Sequence, residues 1–248
     1  MDLGLNGRTA AVAAGTAGLG LGTAKALAAE GVRVVVCGRD EQRLASALAE
    51  IGHGAQGFVC DVSNAEGGRA FVERAIAMLG SVDILVANGG GPPAGTFSST
   101  PESEYLPALE KNLLSIVAMC GAAVPPMRER GWGRVVAITS VSVRQPMPNI
   151  ILSNTARAGV TAYLKTVARE VAADGVTVNT IQPGTHDTDR IRQIYGANID
   201  AARNGQPSGT IGDADDFGAI AAFMCSDQAK FMTGTHINVD GGSFAGLM

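Results

Sequence analysis

Short apolar runs alternate along this chain with longer stretches whose apolar residues recur every three or four positions, and few folds accommodate that alternation. The runs lie at Ala10 to Ala13, Val32 to Cys37, Gly57 to Val59, Val82 to Ala87, Arg134 to Thr139, Val176 to Ile181 and His236 to Val239. They read as strands. Between them, segments such as Leu19 to Ala29 and Gln42 to Ile51 carry the helical period. Taken in turn, they predict an α/β fold: a doubly wound, mostly parallel, seven-stranded Rossmann-like sheet. Hydrophobic residues make up 46% of the 248 positions and charged residues 17%, which suits strands covered on both faces.

No linker, repeat or change of composition divides the chain, so residues 1–248 read as one dinucleotide-binding domain. The one irregular stretch, about 184–212, contains Thr185, His186, Asp187, Asp189, Gly205, Pro207 and Gly209. A connection of that length is expected to act as a lid or substrate loop.

The first strand runs into Ala14-Gly15-Thr16-Ala17-Gly18-Leu19-Gly20 and then into a helical pattern. Glycines here let backbone amides approach a pyrophosphate, and a helix amino terminus favours an anion. The strand-turn-helix context turns a weak motif into a nucleotide site; the plain alternative is a tight turn without a ligand. The second strand ends Cys37-Gly38-Arg39, with no carboxylate to bind a ribose 2′-hydroxyl. Arg39 offers charge to a 2′-phosphate instead, so NADP(H) is the expected cofactor. A solvated arginine leading into the next helix is the competing reading.

Further matches lie beyond the turn: Asp61-Val62, Asn88-Gly89-Gly90, Asn112, Ser140, Pro183-Gly184-x-x-x-Thr188 and Val239-Asp240-Gly241-Gly242. With these the chain resembles, over its entire length, the short-chain dehydrogenase/reductase family, and within it the 3-oxoacyl-acyl-carrier-protein reductases. The resemblance implies a cofactor held by Gly15, Thr16, Gly18, Leu19, Asp61, Val62, Asn88, Gly90, Arg157, Pro183, Gly184 and Thr188. It also implies a small-molecule substrate and a homotetramer built through the helices carrying Asn112 and Ser153. Two positions of the binding half depart from the pattern: Ala14 stands where the family's first glycine usually lies, and Ala87 replaces an asparagine.

The catalytic half departs further. The family's reductases use Ser, Tyr and Lys assisted by Asn, with Tyr thirteen residues after Ser and Lys four beyond it. Here that count leads from Ser140 to Ser153 and then Arg157, inside Ser153-Asn154-Thr155-Ala156-Arg157. The four-residue spacing keeps both side chains on one helix face. A phenol ionises near pH 10 and serves as an acid, whereas a serine hydroxyl is far weaker and shorter. An arginine holds anions well but does not shuttle protons. The catalytic candidates are therefore Ser140, Ser153, Arg157 and Asn112, with plain capping or helix-internal roles open to Ser140 and Asn112.

A replacement acid has few sources. Tyr195, in the long loop, is the leading candidate; Tyr163 is expected to face away from Ser153, and Tyr105 to pack. His186 and Asp187 lie near the nicotinamide end, and His186 is expected on the outside of the loop rather than at the chemistry. His53 and His236 read as structural. Val143, Arg144, Gln145 and Met147 are expected to border the substrate pocket.

A net charge of −4 and the lack of any basic block do not suit nucleic acid. Cys37, Cys60, Cys120 and Cys225 lie far apart in apolar segments, so no metal site or disulfide framework is expected. Buried free thiols fit a reducing cytoplasm. No signal-peptide pattern opens the chain, and no uninterrupted apolar run reaches membrane-spanning length. Three functions then compete: an NADP(H)-dependent reductase or dehydrogenase for a ketone or hydroxy compound, a non-redox lyase, hydrolase or dehalogenase-like enzyme, and an NADP(H)-binding sensor.

Overall fold

A computed structural model describes residues 1–189, 191–192, 196 and 199–247. In it the strands β1 (Thr9–Val12), β2 (Arg33–Gly38), β3 (Gln56–Val59), β4 (Ile84–Ala87), β5 (Gly133–Ile138), β6 (Val176–Pro183) and β7 (His236–Val239) form one sheet. Its order is β3-β2-β1-β4-β5-β6-β7, and every pairing is parallel. The expected seven-stranded α/β fold is what the chain adopts.

Strand alternation divides the core. Ala11, Val35, Leu85, Val135 and Val178 point to one face, and Ala10, Val34, Ile84, Val136 and Ile181 to the other. The first face is covered by α3 (Ala65–Leu79), α5 (Ser115–Glu129) and α6 (Ile151–Val171). The second is covered by α1 (Gly18–Ala29), α2 (Glu41–Ile51) and α8 (Ala214–Cys225). On that face α1 and α8 touch backbone to backbone, because Gly22 lies against Ala214 O and Gly218 against Gly22 O. A methyl group at either glycine would force the helices apart.

Local signals set the helix starts. Asp40 accepts from Arg43 N at 2.7 Å, Asn64 from Gly67 N at 2.8 Å, and Asp213 from both Asp215 N and Asp216 N. Those two bonds to charged Asp213 hold its carboxyl below the usual range. Between α4 (Tyr105–Leu109) and α5 the helix widens into a π turn, Glu110–Leu114. The run Glu102–Glu129 is long and apolar enough to cross a bilayer, yet Ile116, Met119, Cys120, Ala123 and Met127 of it are core residues. The stretch expected to be an irregular substrate loop contains a short helix, α7 (Ile199–Asn204).

Candidate functional site

The strand order reverses between β1 and β4, and the carboxyl ends of the strands open there into a cleft. One part, about 470 Å³, is lined by Thr16, Arg39, Arg43, Asp61, Val62 and Lys111 among others. A second part, about 460 Å³, is lined by Leu19, Asn88, Ser140, Ser153, Arg157, Pro183, Gly184 and Thr188 among others. Both share Ala14, Ala17, Arg39, Arg43, Gly90 and Gly91, so the cleft is continuous.

The glycine turn separates backbone duties from binding duties. Ala14 adopts φ 48°, a left-handed conformation that glycine accepts more easily. Asn88 Nδ2 donates to Ala14 O at 3.4 Å and Gly15 N to Cys37 O at 3.0 Å, which pins the turn over β2. Gly15 lies beneath the turn, where a Cβ would be 2.9 Å from Val36 Cγ1, and it does not line the cleft. Its glycine is a packing requirement.

Three observations show that the remaining residues suit a dinucleotide. The N-cap of α1 is Ala17, which supplies no side-chain acceptor, and the first turn has no acid. Its amide donors and positive helix end are left for an anion. At Gly90 a Cβ would meet no atom within 4 Å, and φ is not left-handed, so nothing in the chain itself demands glycine there. A ligand lying flat across the end of β4 would. Asn112 donates from Nδ2 to Gly90 O at 3.1 Å and is buried, with Oδ1 unpartnered in the protein. At the far end Asp61 accepts from Ser63 N, and Ser115 Oγ donates to Val62 O at 2.7 Å, fixing the floor.

At the other end Ser140 Oγ accepts from Ser142 N at 3.1 Å, so it caps a short helical turn and still has its own proton to donate. Ser153 and Arg157, on α6, are each 8% exposed. Arg157 Nη1 donates to Ile138 O at 2.8 Å, which places the guanidinium against the end of β5. The Ser153 hydroxyl makes no hydrogen bond to the protein among the described residues. Asn112 sits within the π turn, a distortion that re-aims side chains at functional sites.

Several expectations need correction. His186 is not on the outside of the loop. It is buried, edge-on to Phe217 with ring centroids 5.1 Å apart, and a Cβ on Gly212 would be 2.7 Å from its Nε2. Burial lowers its pKa, and the residue also lines the part of the cleft that holds Ser140, Ser153 and Arg157. Val143, Arg144, Gln145 and Met147 are not among the residues lining the cleft. Arg144 instead donates to His236 O, and Gln145 Oε1 accepts from Ala245 N, so this turn braces the carboxyl-terminal segment. Cys37, Cys120 and Cys225 are buried, and burial pushes each thiol up to about 12; Cys60 is half-buried and lines the cleft.

Tyr163 packs beside the α6-face core, where burial pushes its phenol up to about 12. Tyr105 begins α4, and Tyr195 lies outside the described residues. The sequence reading missed Arg43, Lys111, Thr139, Pro92 and Ile150 in the cleft wall. Arg43, one turn after Arg39, carried the only local signal.

A parallel sheet with a phosphate-ready turn at its switch point, facing buried hydroxyls and a guanidinium, defines a dinucleotide-binding oxidoreductase architecture. Residues 13–243 match the family described as enoyl-(acyl carrier protein) reductase. The chain is 30% identical to the 3-oxoacyl-[acyl-carrier-protein] reductase of Haemophilus influenzae, over 97% of this chain and 99% of that one. L-sorbose reductase from Gluconobacter frateurii, solved with NADPH and L-sorbose, superposes with TM-score 0.92 at 28% identity, covering 100% of both chains. A short chain oxidoreductase from Pseudomonas aeruginosa PAO1, described as containing an atypical catalytic center, superposes with TM-score 0.90 at 30% identity, covering 98% of this chain and 100% of that one. The chain belongs to the short-chain dehydrogenase/reductase family of NAD(P)-dependent oxidoreductases.

Proposed function

We propose that this protein is an NADP(H)-dependent reductase or dehydrogenase for a ketone or hydroxy compound, with Ser153 and Arg157 standing where the family has Tyr and Lys. The observation that carries the reading is the continuous cleft from Arg39 and Asp61 to Pro183 and Thr188, with Ser140, Ser153 and Arg157 on its wall at one end. Bound there, the nicotinamide supplies a hydride. Arg39, with Arg43 beside it, would meet the 2′-phosphate, and the open amides of α1 the pyrophosphate. Asn88 and Gly90 would flank the ribose, and Pro183, Gly184 and Thr188 the nicotinamide end. Arg157 keeps a fixed positive charge at the reaction end, and its fork suits a substrate carboxylate or phosphate. Ser140 donates its proton to the substrate oxygen as a hydrogen bond. The Pseudomonas relative described as atypical supports a family member of this kind remaining an oxidoreductase, and the Gluconobacter relative supports NADPH.

The deciding experiment titrates NADPH and NADH into nucleotide-free protein by the fluorescence of the reduced cofactor, then adds a panel of ketones and follows its absorbance. Tight NADPH binding with oxidation is the expected result. Binding without oxidation moves the assignment to the sensor or to non-redox chemistry, and turnover of substrate by nucleotide-free protein establishes the latter. The fluorescence signal has to be the cofactor's own. Trp132, the chain's one tryptophan, sits beside β5's first residue at the opposite end of the sheet, stacked between Arg8 and Arg134.

A further inference from the structure

Arg39 and Arg43 both line the first part of the cleft, and they are held differently. Arg39 makes no ion pair among the described residues. Arg43 is already engaged, its Nη1 donating to Asp189 Oδ2 at 3.2 Å. That pair joins α2, which carries Arg43, to the segment after β6 that carries Asp189. The segment lies against the head of α1, where a Cβ on Gly18 would be 3.1 Å from Thr188 Cγ2. An adjoining groove of about 420 Å³ is walled by Thr16, Gly18, Arg43, Thr188 and Asp189 among others. One ion pair therefore links the arginine end of the cleft to the segment that lines its far part. Arg192, the next arginine along that segment, is closed on Asp187 by bonds of 3.0 and 3.1 Å, so Arg43 holds Asp189 by itself among the described ion pairs.

The pair is easily exchanged. Both side chains are more than half exposed, and an exposed pair of this kind is worth about fivefold in an equilibrium at most. A phosphate monoester carries nearly two charges and takes an arginine fork through two parallel bonds, which is the stronger contact. Arg43 lines the first part of the cleft together with Thr16, Gly38 and Arg39, whereas Asp189 does not. A guanidinium turned to a phosphate there leaves the carboxylate behind, and the charge of the phosphate repels Asp189 as it arrives. NADH has no 2′-phosphate and so offers nothing in exchange for the pair.

We propose that Arg43 changes partner, from Asp189 to the 2′-phosphate, when NADPH binds, and that the exchange frees the Thr188 to Asp189 segment, which NADH leaves tied to α2. The exchange rests on the NADP(H) reading of the cleft. Asp189 is then a specificity-determining residue, because it occupies Arg43 until a 2′-phosphate arrives and so sets what that phosphate gains. The segment beside Thr188 is thereby coupled to a phosphate at the opposite end of the cofactor.

The test measures NADPH and NADH binding by cofactor fluorescence at low salt in wild type, Arg43→Met, Asp189→Asn and the double variant. Arg43→Met is expected to weaken NADPH about tenfold and NADH less than about twofold. Asp189→Asn is expected to tighten NADPH about threefold to fivefold and NADH less than about twofold, and to tighten neither in the Arg43→Met background. Equal tightening of both cofactors, or tightening that survives Arg43→Met, overturns the exchange, because Asp189 would then act by its charge alone. Hydrogen exchange reads the segment directly: the amides of Asp187, Thr188 and Asp189 should exchange faster in the NADPH complex than in the NADH complex of wild type, and equally in the two complexes of Asp189→Asn. Equal exchange in wild type overturns the release. Wild-type protein that binds no NADPH, or an Arg43→Met variant that binds it unchanged, overturns the NADP(H) reading and the exchange with it. A loss in Arg43→Met with no effect of Asp189→Asn overturns the exchange alone.

Discussion

The two ends of the cleft are built by different means. At the end lined by the glycine turn the important groups are backbone: open amides of α1, glycines at 18 and 90, and a turn pinned by Asn88. At the other end they are side chains: Ser140, Ser153 and Arg157. Backbone geometry changes slowly with sequence, because a turn or a close approach admits few residues. Side-chain chemistry is exchanged with one substitution and no change of fold. The contrast teaches that the two ends of such a cleft differ in how readily a substitution changes them.

The comparison breaks first at Gly90. Gly90→Val places bulk where only a ligand competes for space, so NADPH affinity should fall about a hundredfold or more, with Tm moved by less than about 2 °C. A large loss of Tm would mean that the glycine serves the chain and not the cofactor. At the other end, Ser153→Tyr with Arg157→Lys tests the proposed replacement. Ketone reduction should rise about a hundredfold, and no gain in steady-state rate would show that the pocket has diverged around those two positions.

Ala14 gives a smaller effect of opposite sign. Because its φ is 48°, Ala14→Gly relieves strain that outweighs the added freedom of the unfolded chain, and thermal melts should show a gain of about 1 kcal/mol. His186 gives the smallest. Burial lowers its pKa in the folded protein, so the unfolded chain binds a proton first as pH falls. Stability from this group is complete above about pH 6.5 and is lost as pH drops below that toward the lowered folded value. Urea melts should therefore show a weaker acid-side decline in His186→Gln than in wild type. An unchanged pH profile would mean that His236, also lowered by burial, carries the effect.

The glycine-turn end of the cleft is largely legible in the sequence, and the end with Ser153 and Arg157 only half so. Strand and helix positions follow from hydrophobic period, a local property, and Arg39, Asp61 and Gly90 line the cleft expected from the turn. Ser140, Ser153 and Arg157 also meet on one cleft wall, as their spacing and the family resemblance imply. His186 was misplaced because its burial depends on Phe217 and Gly212, distant in sequence. Arg144 and Gln145 were misplaced for the same reason, since their partners are His236 and Ala245.

By itself the sequence determined the order of elements, the parallel sheet, the phosphate-ready turn and the spacing that sets Ser153 and Arg157 on one helix face. Each is written in short-range periodicity or in one motif. Only the tertiary structure decided that Gly15 is packing and Gly90 is not, that Arg43 and Lys111 join the cleft, and that His186 is buried against Phe217. Those facts depend on strand register and helix docking, where residues far apart in the chain are brought together by burial that no local pattern records.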